Sequence, residues 1–81
     1  MYLKKEQEAE IVAQAIRTEL GETVNAPGRR AIRAVLALRD DPKLKQDDAR
    51  LTYTTSMVSI RKYRALMARL PDTATSVTAA M

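Results

Sequence analysis

Apolar residues recur along this chain at steps of three and four, the spacing that puts side chains on one face of a helix. From Leu3 to Leu20 the stripe is Ala9, Val12, Ala13, Ile16 and Leu20, widened by Ile11 and Ala15. Gly21 follows the last periodic residue, where a left-handed stop favours glycine, so the first helix is predicted to end there. Glu22 to Gly28 reads as a connection, with Asn25 as a cap and Pro27 in the first turn of the next helix. That second helix, roughly residues 27–39, carries Ala31, Ile32, Val35, Leu36 and Leu38 on one broad face.

From Asp41 to Leu70 the pattern is two-sided. Asp41-Pro42 reads as a helix start, an Asp cap followed by a proline with its φ already set, and Asp40-Asp41 as the corner that turns the chain. Tyr53, Met57, Ile60, Tyr63, Met67 and Leu70 then fall along one side, while Leu44, Leu51, Val58 and Ala65 lie almost opposite, spaced by sevens. A helix packed on its own domain needs only one stripe. Either a single helix over about 42–70, about 40 Å long, packs one stripe inward and offers the other to a second copy, or the helix breaks at Thr52-Tyr53-Thr54-Thr55. That run is β-branched and aromatic, with mediocre helix propensity. Broken there, the two stripes would face one core from two helices.

The continuous helix is preferred here. The fold class expected is all-α: a small three-helix domain over residues 1–70, its first two helices a hairpin-like support for the long third. A flexible tail over residues 71–81, small and polar, is expected to be disordered. The broken form would be a helix-turn-helix, whose first helix holds a small residue, whose turn usually has Gly four residues later, and whose second helix is rich in Ser, Thr and Arg. The registers conflict. Ala49 at the small position puts Tyr53 at the Gly and Ser59 at a buried aliphatic; sliding by one to bury Ile60 and Tyr63 puts Arg50 at the small position.

Composition narrows the chemistry. The 81 residues include no Cys, His, Trp or Phe, which removes disulfides, thiol and imidazole chemistry and the usual soft-metal ligands. Carboxylates occur as Glu6/Glu10, Asp40/Asp41 and Asp47/Asp48, but adjacent aspartates on a helix point in different directions. No Gly-rich phosphate loop is present. An enzyme, a cofactor and a metal are therefore not expected. The longest apolar run falls far short of a membrane span and the N-terminus is mixed-charge, so the reading is cytoplasmic, with no membrane partner. Heavy use of Ala and Arg is a bias shared with bacterial and bacteriophage proteins.

Charge is uneven, and that changes the picture more than the net +4 does. Residues 25–39 carry Arg29, Arg30, Arg33 and Arg39 with no acid, and residues 53–81 carry Arg61, Lys62, Arg64 and Arg69 against Asp72 alone. Arginines in the first turns of a helix oppose its dipole, which an external anion would offset; pairing with the glutamates of the first helix, or simple solvation, is the plainer reading.

The function expected is a small non-enzymatic regulator or adaptor that self-associates, as a homodimer, through Leu44, Leu51 and Val58 and binds an acidic protein partner. Arg29, Arg30 and Arg33 would steer the encounter, and Tyr53, Met57, Ile60 and Met67 would supply the apolar anchor. Tyr53 and Tyr63 on an apolar stripe are otherwise core residues. The alternative is a helix-turn-helix DNA-binding transcriptional regulator. Thr55, Ser56, Ser59 and Arg61 would then read bases, with Lys62, Arg64 and Arg69 on phosphates. Whether residues 52–55 are helical separates the two.

Overall fold

The described residues fold as four helices, α1 (Leu3–Leu20), α2 (Ala26–Asp40), α3 (Gln46–Thr52) and α4 (Met57–Ala68). The computed structural model describes residues 3–71, and among them there is no strand. No helix among the described residues is long and apolar enough to cross a membrane.

The first two helices lie where the apolar spacing puts them. At the end of α1, Gly21 adopts φ +70°, and its N–H reaches the Arg17 carbonyl at 3.1 Å, a left-handed stop that costs glycine nothing. At the start of α2, Asn25 Oδ1 accepts from the Gly28 N–H at 2.9 Å, with Pro27 in the first turn. Ala9, Val12, Ala13, Ala15 and Ile16 are buried, as the α1 stripe requires.

Helix α2 is the centre of the molecule: α1, α3 and α4 all pack on it. Its Ala31, Ile32, Ala34, Val35, Leu36 and Ala37 are all buried, more of its circumference than one face supplies, because neighbours cover it on several sides. Alanines there let the surrounding helices come close. The largest fully buried side chains are Ile16 of α1, Ile32 and Leu36 of α2 and Ile60 of α4, each contributing about 1.5–3 kcal/mol by leaving water.

The long third helix is not formed. Asp41 closes α2 instead of opening a third helix: its N–H donates to the Ala37 carbonyl at 2.9 Å, while its Oδ1 accepts from the Lys43 N–H at 3.0 Å. Pro42 and Lys43 therefore sit in a turn, and α3 begins only at Gln46, with Lys45 ahead of it offering no side-chain cap. Principal extents of 29 × 26 × 19 Å also leave no room for a rod of about 40 Å.

Breaking the helix does not bring the second stripe inside either. Leu44 packs on the core, but Leu51 and Val58 stand 65% and 76% exposed and Ala65 is also exposed. Of the tail expected over residues 71–81, all but Pro71 lies outside the described residues.

Candidate nucleic-acid interface

The break between α3 and α4 is made by backbone hydrogen bonds that could form only if one residue turned left-handed. Thr55 N–H donates to the Arg50 carbonyl at 3.0 Å and Thr54 N–H to the Leu51 carbonyl at 3.4 Å, the paired bonds of a Schellman stop. Thr54, between them, has φ +53°. A β-branched residue in that conformation is strained by about 1–2 kcal/mol. Arg30 of α2 reaches across to the same residue, its Nε donating to the Thr54 carbonyl at 3.3 Å. The turn is thus tied to the central helix.

This geometry resolves the register conflict. Ala49 is fully buried, and so is Ile60, with Tyr63 only 7% exposed. All three are inside together because the left-handed residue comes five positions after Ala49 rather than four. One extra residue in the turn accommodates both halves of the pattern.

Helix α4 starts from Ser56, whose Oγ accepts from the Ser59 N–H at 3.1 Å and donates to Ser59 Oγ at 3.0 Å. It buries Ile60, Tyr63 and Leu66 against α2 and α1, with Leu70 just beyond its end. At about 100° per residue the opposite side carries Val58, Arg61, Lys62, Ala65 and Arg69, with Arg64 at its edge, and every one of these is exposed. Among the described residues Arg61, Lys62, Arg64 and Arg69 make no ion pair. Lys62 Nζ lies 5.6 Å from the centre of the Tyr63 ring. Thr55 is half-buried at the turn, and Ser56 and Ser59 are engaged with each other, so of the four reader residues expected from the sequence Arg61 is the one presented freely.

The arginines of α2 are placed differently. Arg29 donates to Glu10 of α1 through Nε at 2.8 Å and Nη2 at 3.3 Å, and this guanidinium holds the Glu10 carboxyl below the usual carboxylate range. Arg39 Nη2 lies 3.0 Å from Glu8, and its Nε 3.0 Å from Asp40. Arg33 Nε is buried with no hydrogen-bond partner among the described residues. Of the expected apolar anchor, Ile60 is inside the core, while Tyr53, Met57 and Met67 are half-buried and pack against it. Val12, Val35, Leu38 and Met67, with Arg39, Arg64 and Ala68, line a groove of about 400 Å³ where α1, α2 and α4 meet. Among the described residues no cluster of carboxylates could hold a metal ion.

Val58 stands outward, as the stripe it shares with Leu51 and Ala65 expected for a seam between copies; what that stripe left out is that the same face of α4 carries Arg61 and Lys62. No family model, no curated protein and no solved structure matches this chain.

Proposed function

We propose that this chain is a non-enzymatic helix-turn-helix regulator that binds duplex DNA and lays α4 in the major groove. The observation that carries the reading is the turn at residues 53–55, which releases a short helix whose outward side holds Arg61, Lys62 and Arg64, with Arg69 at its C-terminal cap, and no carboxylate. Twelve residues make a rod of about 18 Å, and the groove, about 12 Å wide, admits such a helix. An unbroken helix could not have placed its second half in the groove while its first half crossed the backbone. The cytoplasmic location expected from the sequence goes with this reading.

Retardation of a random-sequence duplex at low salt tests it. Wild type retards the duplex, and Arg61→Glu with Lys62→Glu abolishes the shift while helical circular dichroism is unchanged, both residues being exposed. No retardation by wild type overturns the reading.

A second reading, the self-associating adaptor for an acidic protein, is favoured by one observation: Leu51 remains 65% exposed on α3, where an apolar side chain gains nothing for the fold. Sedimentation of wild type against Leu51→Asp tests it, with a dimer lost in the variant as the expected result. A wild-type monomer at high protein concentration ends it.

A further inference from the structure

We infer that Val58 reads the C5-methyl group of a thymine, so that the DNA this protein prefers carries a thymine opposite the first turn of α4; this rests on the DNA-binding reading above. Val58 is 76% exposed, and its neighbours on the same face, at three, four and seven residues on, are Arg61, Lys62 and Ala65. At that exposure the side chain adds little to the packing of the described residues. A β-branched residue loses side-chain freedom in a helix, and a surface position is better served by Ala, Lys or Glu.

The first turn of α4 offers little else that could read a base. Ser56 spends its hydroxyl on Ser59, donating to its Oγ and accepting from its N–H, while Ser59 and Met57 are half-buried, Met57 against the core. Residues at the N-terminal end of a recognition helix contact base edges, and on this helix the outward one is Val58. Its side chain can neither donate nor accept a hydrogen bond. The floor of the major groove presents donors and acceptors at every base pair, with one apolar feature, the thymine methyl. RNA lacks that methyl, and its A-form major groove is too narrow for side chains to read. A valine flanked by cations that make no ion pair among the described residues thus selects thymine-bearing DNA, while Arg61 and Lys62 on either side meet neighbouring bases or phosphates.

The test uses the full chain and a duplex enriched by it from a random-sequence library. Each thymine is replaced in turn by deoxyuridine, which removes only the methyl, and affinity is read by fluorescence anisotropy for wild type, Val58→Ser and Val58→Thr. At one thymine the replacement weakens wild type about fourfold, the value of one buried methyl. Val58→Ser is indifferent to that replacement, and Val58→Thr, which keeps one methyl, is partly sensitive. All three proteins have the same helical circular dichroism.

Equal losses in wild type and Val58→Ser at every thymine, or no loss at any, overturn the assignment while retardation of DNA still stands. A chain that binds no DNA overturns both readings. If Val58→Ser turns a dimer into a monomer and leaves the thymine losses unchanged, Val58 belongs to a seam between copies and the inference fails.

Discussion

Gly28 has a part in the fold that no spacing along the chain announces. It stands in the first turn of α2, and the Tyr63 ring of α4 lies directly on its backbone. A Cβ added there would come within 2.9 Å of both Tyr63 Cζ and Val24 Cγ1. Gly28→Ala is therefore expected to destabilise by about 1–3 kcal/mol through overpacking, seen as a fall of about 4–8 °C in the thermal midpoint for each kcal/mol. Thr54 is the opposite case, a residue that the fold holds in a conformation its side chain resists. Thr54→Asn keeps the turn with a residue that tolerates φ > 0, and should raise stability by up to about 1 kcal/mol in denaturant titration. An unchanged or lowered midpoint would mean that the Thr54 side chain makes a compensating contact. Gly21 was legible because glycine stands at the left-handed position, but nothing in Tyr53-Thr54-Thr55 marks which residue turns.

Between elements, the same short signals serve opposite ends of a helix, and this limits what can be read. Asp41-Pro42 has the residues of a helix start, yet the Asp41 side chain and backbone complete the stop of α2. Asn25 and Gly21 carried no such ambiguity, so α1 and α2 were legible, and the α3–α4 break was visible only as one of two options. Ser56 is the cap that makes α4 a separate helix. Ser56→Ala should cost about 1 kcal/mol, and amide hydrogen exchange should quicken at Ser59 before it does elsewhere in α4. Arg29 and Glu10 join α2 to α1. The Glu10 pKa is held below its ordinary value of 4.5, chiefly by the hydrogen bond from Arg29. A depressed folded-state pKa stabilises the fold above the unfolded value and loses that contribution as pH falls through the folded one. Thermal unfolding of wild type should accordingly lose stability more steeply than Glu10→Gln below about pH 4.5, the two curves converging in acid. Parallel curves would show that the pair adds nothing.

At the scale of the whole molecule the charges are sorted by tertiary pairing. The two basic blocks were legible in the sequence, but which of them stays unpaired was not, because Arg29 meets Glu10 and Arg39 meets Glu8 across 19 and 31 residues of chain. Folding pairs Arg29 and Arg39 of the first block with glutamates of α1, and leaves the second block, on α4, facing solvent. The electrostatic half of DNA binding should then belong chiefly to α4. If Lys62, Arg64 and Arg69 each neutralise one phosphate, the logarithm of affinity for a random duplex should fall with the logarithm of salt with a slope of about −2.7. Substituting any one of the three by Ala should reduce that slope by about 0.9. Arg29→Ala should leave it unchanged, since that guanidinium is already held by Glu10. Anisotropy titrations across a salt series measure all of these slopes on one duplex. Should Arg29→Ala flatten the slope as much as Arg64→Ala does, the face that meets the backbone is that of α2, and α4 loses its claim to the groove.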